Sequence, residues 1–426
     1  MVWDGKRWRM DDVRHMDIYA IDIVKAIWEE ARKVRDRKDA TKEQDEYAEA
    51  LGQWAARCEN PTAIRAMQQL SKHMVASLPL DYDSEPWMLN CPHGIVDLET
   101  GEMKVHDSSY CFTKMTAGSP PKKKAKPKRW LKFLEWLWDG DQSMIDFIQR
   151  AAGYTLTGSQ RAQAWFFCFG VGDNGKSTFL NAMRYAMGDY AYHAQDDVFL
   201  EHRRDSHPTA IAMLKGFRMV TAIESEEGKG FNMPLLKQIT GGDPITARYC
   251  NKDPFTFQPE CKVWIACNDK PNVRSSRHGT WRRIMTIPFM QRVKDSERDR
   301  DLDLRLRKER NEILGWMLEG TILYREKGLE PPEVVRAATE AYRQEMDYVG
   351  AFIEEVCFVS NGTESPIRIA QSELYDSYRG WCLAGGCKTM TKISFGKELS
   401  ERGFRKLRIG RQREWDGLEL KEKVPF

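Results

Sequence analysis

Trp165-Phe-Phe-Cys-Phe-Gly170-Val-Gly-Asp-Asn-Gly175-Lys-Ser-Thr-Phe-Leu-Asn-Ala-Met183 is the stretch from which the fold can be read. A run of bulky apolar residues enters a glycine-rich turn, the turn closes on Lys176-Ser177-Thr178, and an amphipathic pattern begins. The order predicts a buried strand, a loop and a helix, and it fits G-x-x-x-x-G-K-[ST] in the context that motif requires. Gly170, Gly172 and Gly175 let backbone N–H groups turn inward onto phosphates, beside Asn174. The helix N-terminus adds its positive end. Lys176 is placed to reach β- and γ-phosphates and Ser177 to hold Mg²⁺, with Thr178 beside it, so ATP and Mg²⁺ are the expected ligands. The motif says nucleotide binding and does not name the work.

Downstream, residues 161–290 alternate apolar strands with helices, which predicts an α/β domain around a mainly parallel sheet. "FRMVTAIESEEG" (217–228) ends an apolar run in carboxylates. Glu224 is assigned to the metal and Glu226 to the attacking water, and the two roles are interchangeable on this evidence. "CKVWIACN" (261–268) is a further strand with Asn268 at its tip, able to sense a γ-phosphate. In "RHGTWRRIMTIPF" (277–289), Arg282 and Arg283 precede another apolar strand, and either could act as an arginine finger on a neighbouring subunit's nucleotide. Between the acidic and Asn-tipped strands, Ile245–Tyr249 and Phe255–Phe257 read as a β-hairpin around "CNKD", with Lys252 at the tip and Arg248 nearer the base.

Upstream, His15 to Leu78 has apolar residues at three- and four-residue steps and reads as helical. "GIVDLETGEMKVH" (94–106) reads as short strands around a turn, and "SPPKKKAKPKR" (119–129) as an exposed linker. Residues 298–328 form a charged amphipathic stretch, punctuated by "GLEPPEVV". From Ser372 the order is helix, turn, helix, β-hairpin, which is the order of a winged helix. Residues 401–415 hold six basic and two acidic side chains. Lys392 and Lys397 fall on the expected recognition helix, and Arg405, Arg408 and Arg411 on the wing. Such modules contact duplex DNA or other proteins. The expected division is therefore 1–150, mostly helical with a small β element; 151–330, the nucleotide-binding core; and 331–426, the winged-helix-like end.

Composition bounds these readings. The 426 residues carry 66 Lys and Arg against 63 Asp and Glu, so any DNA contact must come from local clusters. Hydrophobic residues make up 41%, which suits a mostly globular chain, and no apolar run approaches a membrane span. The charged start "MVWDGKRWRM" is unlike a signal peptide, so the expectation is an intracellular protein without membrane contact. The ten cysteines show no CxxC pair and read as free thiols. Cys91 and His93 lack a second pair to complete a zinc site.

In their order, these elements resemble the superfamily 3 helicases, AAA+ ATPases of small viruses, phages and plasmids, and most of all the poxvirus- and phage-type primase-helicases. The resemblance rests on "GVGDNGKST", "GFRMVTAIESEEG", "LLKQITGGDPITARY", "VWIACNDKPNV" and "WRRIMTIPF", with "NCPHGIVDLETG", "FIQRAAGYTLTG" and "SELYDSYRGWC…SFGKELSERGF" outside the core. It covers nearly the whole chain. It implies a hexameric ring, Lys252 gripping single-stranded DNA in the channel, movement from 3′ to 5′ on forked DNA, and duplex binding through the winged helix. It further implies a separate primase or polymerase as partner, and a bacterial cytoplasm if the gene is phage- or plasmid-borne. The chain starts with "VWDGKRW" where relatives have the segment after their primase, so primer synthesis by this chain alone is not expected. Three rival readings share the nucleotide loop: an origin-melting initiator that recruits another helicase, a small-molecule kinase, and a DNA-binding regulator switched by nucleotide.

Overall fold

A two-strand hairpin, β1 (Val2–Trp3) and β2 (Trp8–Arg9), starts the chain, a feature too short for periodicity to announce. In this computed structural model the described residues are 1–37, 39, 41–71, 82–121, 125–195, 198–201, 208–224, 230–273, 278–294, 296, 298–360, 367–387, 389–410 and 412–421, without the side chains of Glu224 and His278. The expected helical stretch is present as α1 (His15–Arg35), α2 (Lys42–Cys58) and α3 (Pro61–Ser71), and its last part, 72–78, lies outside the described residues. Thr41 and Gln44 form a reciprocal capping box that starts α2. "GIVDLETGEMKVH" lies in a meander of β3 (Met88–Cys91), β4 (Gly94–Asp97) and β5 (Met103–Lys104). Asp97 Oδ1 closes its turn by accepting from the N–H groups of Glu99 and Thr100.

The segment 119–129 departs from the expected free linker. Its ends are packed: Ser119 is buried, its N–H donates to Asn311 Oδ1 at 2.9 Å, and its hydroxyl accepts from His93 N–H at 3.1 Å. Helix α4 (Lys128–Leu137) already begins inside it, with Glu309 accepting from the N–H groups of Arg129 and Trp130. A carboxylate from 180 residues away thus caps the helix, which no local pattern announces.

Helix α5 (Gln142–Leu156) precedes the central sheet and spans residue 150. Then follow β6 (Trp165–Phe169), α6 (Lys176–Met187), β7 (Ala191–His193), α7 (Pro208–Ala212), β8 (Met219–Glu224), α8 (Met233–Gly241), β9 (Ile245–Ala247), β10 (Phe255–Phe257), β11 (Lys262–Cys267), α9 (His278–Trp281) and β12 (Ile284–Pro288). The sheet runs β12-β6-β11-β8-β7, and every pairing is parallel. Strand β6 is continuously apolar because it is paired on both sides and covered on both faces: Phe166 and Cys168 belong to one core, Trp165 and Phe167 to the other. At the starting edge of the sheet two cations are buried. Arg218 donates to the carbonyls of Leu156, Glu85 and Met88 at 2.8 Å each, and Lys262 to those of Thr157 and Glu260. Burial pulls the Lys262 ammonium down to about 7.

Beyond the sheet come α10 (Leu302–Lys308), α11 (Arg310–Lys327), α12 (Glu333–Glu345), α13 (Tyr348–Val356), β13 (Cys357–Val359), β14 (Arg368–Ala370), α14 (Gln371–Ala384), α15 (Lys392–Glu401), β15 (Arg405–Ile409), β16 (Gln412–Asp416) and β17 (Leu418–Leu420). Helices α5 and α11 cross in backbone contact. A Cβ on Gly153 would lie 2.1 Å from the Gly320 carbonyl carbon, and one on Gly320 would lie 2.0 Å from the Gln149 carbonyl oxygen. Gly320→Ala must force these helices apart, at a cost of about 1–3 kcal/mol. A urea midpoint equal to that of the unaltered chain would refute this close approach.

The C-terminal order is helix, helix, hairpin, as expected, with β14 adding a third strand beside β16. A separate core forms there around Phe352, Tyr378, Phe395 and Trp415. Six of the ten cysteines are buried, and all are free thiols. Among the described residues, no group of three or more His, Cys, Asp and Glu could hold a metal ion, and no helix is long and apolar enough to cross a membrane.

Candidate nucleotide site and nucleic-acid surfaces

The nucleotide loop follows from where β6 ends. Phe169 pairs with Cys267 on one side and Pro288 on the other, so the chain leaves the sheet between two strand tips. Gly170 turns there at φ 157°, and a Cβ on it would lie 2.2 Å from the Phe289 carbonyl oxygen. Only glycine fits that approach. Asn174, buried, donates through Nδ2 to the same Phe289 oxygen at 3.0 Å and accepts from Lys176 N–H at 3.4 Å. The side chain of Asn174 thus braces the loop from within. Gly175, at φ 82°, abuts Phe133 and Leu137 of α4. Asp173 is exposed at the crown with Arg298 3.1 Å away, and Gly172 has open space around it.

Lys176 opens α6 and is 6% exposed. Its Nζ donates to the Gly170 carbonyl and, at 3.1 Å, to Asn268 Oδ1. Burial lowers the Lys176 ammonium from its ordinary range. Ser177 is exposed beside it and Thr178 is half-buried. The lysine of the loop and the amide at the tip of β11 therefore share one point, although 92 residues separate them. Glu224 ends β8 opposite Cys267, one position before Asn268 on the neighbouring strand. Its backbone lies at the strand tips, and Glu226 lies outside the described residues. A hydroxyl and one carboxylate are enough protein for Mg²⁺, which keeps waters and takes phosphate oxygens. Ser177 and Glu224 fit that donor set.

Arg282 and Arg283 stand at the other end of the sheet. Ile284, directly after them, pairs with Trp165 at the start of β6, whereas the loop follows Phe169. Four strand steps separate the two levels, about 13 Å. Neither arginine reaches its own chain's nucleotide loop. Arg282 is exposed, with Nη2 3.2 Å from Gln163 Oε1. Arg283 is half-buried and donates to Thr240 Oγ1 at 3.0 Å. Burial, and then the neighbouring Arg282, lowers its pKa.

The hairpin is present with shorter strands than expected: β9 ends at Ala247 rather than Tyr249. Ile245, Ala247 and Phe257 anchor it in the core. Tyr249 leaves the ladder to stack on Phe255 at 5.2 Å, and its hydroxyl donates to the Ala212 carbonyl at 3.3 Å. Asn251 takes a left-handed conformation at φ 56°, and Lys252 and Arg248 are exposed.

In the C-terminal region Arg405 and Arg408 are exposed on β15, and Arg408 pairs across the strands with Arg413. Arg411 lies outside the described residues. Lys392 is exposed, 6.0 Å from the Tyr375 ring. Lys397 is itself exposed on α15, and with Ser394 and Glu398 it borders a cleft of about 1010 Å³ whose other wall includes Met233, Lys237 and Trp281 of the core.

One set of residues was missed by pattern. The loop after Asn268 is held by the helices that follow the core: Lys270 Nζ lies 2.5 Å from Glu345 Oε1, Tyr342 donates to the Pro271 carbonyl, and Tyr348 donates to Asn272 Oδ1 at 3.1 Å. These pairs are 71 to 76 residues apart, so no local signal marks them.

Comparison with known proteins divides the chain into three matched stretches. Residues 1–139 match a family described as D5 N terminal like, residues 168–283 a family of unknown function, and residues 344–413 a family described as poxvirus D5 protein-like. The candidate helicase L207/L206 of Acanthamoeba polyphaga mimivirus is 30% identical over 261 residues, covering 57% of this chain and 27% of that protein. The candidate helicase V13 of Sputnik virophage is 23% identical over 287 residues, covering 62% and 36%. The chain thus spans about a third or less of the length of these relatives. An apo structure of the NrS-1 C-terminal region aligns over 83% of this chain and 90% of that one, at 12% identity and a TM-score of 0.47.

Proposed function

Because this chain belongs to the superfamily 3 helicases of the poxvirus and phage type, we propose that it is an ATP-hydrolysing DNA helicase of a viral, phage or plasmid replication system. The observation that carries the reading is the meeting of Lys176 with Asn268, 3.1 Å apart at the tips of adjacent parallel strands, in a chain that also presents a lysine-tipped hairpin. Lys176 would hold the β- and γ-phosphates, Ser177 and Glu224 the Mg²⁺, and Asn268 would report the γ-phosphate. The metal would neutralise charge on the transferring phosphoryl group.

The position of Arg282 and Arg283 supports a site completed by a neighbouring copy, and hence a ring; we take it to be a hexamer moving 3′ to 5′. Arg282, the exposed one, is the better finger, and Arg283 is tied to Thr240 within its own chain. Helical residues 1–150 would form the collar, 151–330 the motor and 331–426 a winged helix that contacts duplex DNA through Lys392, Arg405, Arg408 and Arg411. A separate primase or polymerase would complete the system.

The test is Lys252→Ala. As an ordinary exposed lysine it would change stability by no more than about 0.5 kcal/mol and nothing else. As the channel grip of a ring it would leave folding, assembly and ATP binding intact. ATPase stimulation by single-stranded DNA and fork unwinding would both be lost. Unwinding at the unaltered rate, under matched ATPase conditions, removes Lys252 from the DNA path. Strand displacement on a fork free of origin sequence separates this reading from an origin-melting initiator.

A further inference from the structure

Away from the nucleotide loop, the last turn of α6 borders a concave surface of about 510 Å³. Arg184 and Tyr185 line it from α6, Arg307 and Arg310 from the junction of α10 and α11, and Ala117, Gly188 and Ala191 complete the wall. Arg184 lies eight residues beyond Lys176, about 12 Å along the helix, so the hollow is separate from the site of hydrolysis.

Each guanidinium is oriented by a neutral partner. Arg184 Nη1 donates to Asn181 Oδ1 at 3.1 Å, Arg310 Nε donates to the Ala117 carbonyl at 3.0 Å, and Arg307 stacks 4.7 Å from the Tyr185 ring centre. Two carboxylates close in sequence are engaged elsewhere: Asp189 with Arg7 and the Met115 N–H, Glu309 at the start of α4. Among the described residues no ion pair neutralises the three arginines. Three like charges that line one hollow repel one another, and a phosphate accepting from their forks relieves that repulsion. Arg307 covers one face of the Tyr185 ring, so the hollow offers mainly phosphate contacts.

We propose that this hollow binds the phosphodiester backbone of a single nucleic-acid strand, without reading its sequence, as a contact additional to the hairpin.

The experiment uses the full chain with Lys252→Ala as background, so that the hairpin contact is absent. Binding of a fluorescent oligothymidylate is followed by anisotropy across a salt series. Arg184→Gln with Arg307→Gln should weaken it at least about tenfold and lower the salt slope by about 1.4, the loss of two phosphate contacts on a single strand. Arg184→Lys with Arg307→Lys keeps the charge and should restore the salt slope and part of the affinity, and DNA-free ATP turnover should stay unchanged in both. An unchanged affinity and slope overturns the proposal. So does a fall in DNA-free turnover in both variants, which would make the arginines packing elements of α6. Inorganic tripolyphosphate is the second probe. If its binding depends on the arginines while oligonucleotide binding does not, the hollow serves a free phosphate compound and the strand proposal fails. Loss of oligonucleotide binding in the unaltered chain would instead overturn the helicase reading itself.

Discussion

ATP turnover is expected to fall about 10³- to 10⁵-fold in Arg282→Ala, the loss typical of removing an arginine finger, with nucleotide affinity near that of the unaltered chain. The reason is distance. Ile284 pairs with Trp165 at the start of β6 and the nucleotide loop begins after Phe169, so the arginine cannot touch the phosphates of its own chain. Its exposed guanidinium is available to a neighbouring copy, where it would stabilise charge on the transferring phosphoryl group. Mixing Arg282→Ala subunits with Lys176→Ala subunits should restore part of the activity, because some interfaces then combine an intact lysine with an intact arginine. Mixed assemblies no more active than either parent would show that the arginine does not act between subunits. Arg283→Ala should give a smaller defect, since its fork is bound to Thr240.

Lys176→Ala is expected to reduce hydrolysis by at least about 10²- to 10³-fold, the scale of removing one preorganised charge-stabilising donor. Its Nζ is held between the Gly170 carbonyl and Asn268 Oδ1, two neutral acceptors that aim it into the loop without quenching its charge. Lys176→Arg should fail as well. A planar fork cannot take the place of a compact ammonium in a pocket closed by Asn174 and the Phe289 carbonyl. Single-turnover hydrolysis with saturating ATP and Mg²⁺ measures both variants, and near-normal rates in the alanine variant would remove the loop from the chemistry.

Local pattern determined a good deal of this protein. The apolar run 165–169, the glycines and Lys176-Ser177 specify strand, loop and helix within 19 residues, because burial on both faces, φ freedom and helix start are properties of neighbours in the chain. The hairpin and the C-terminal order of helices and strands were legible for the same reason. Pattern failed where partners are distant. The segment 119–129 looked free because nothing within it shows that Asn311 and Glu309 will bind its two ends. Nothing local announces that Lys262 and Arg218 are buried, and only the carbonyls gathered at the sheet's starting edge make their burial tolerable. The candidate site itself required the sheet order. Asn268 meets Lys176 because β11 lies beside β6, and the arginine pair is kept from them because β12 runs parallel to β6 and begins at the far edge. Side-chain pattern sets which residues a strand buries. Which strand lies next to which is set by the packing of helices over both faces of the whole sheet, and that is decided only when the chain has folded.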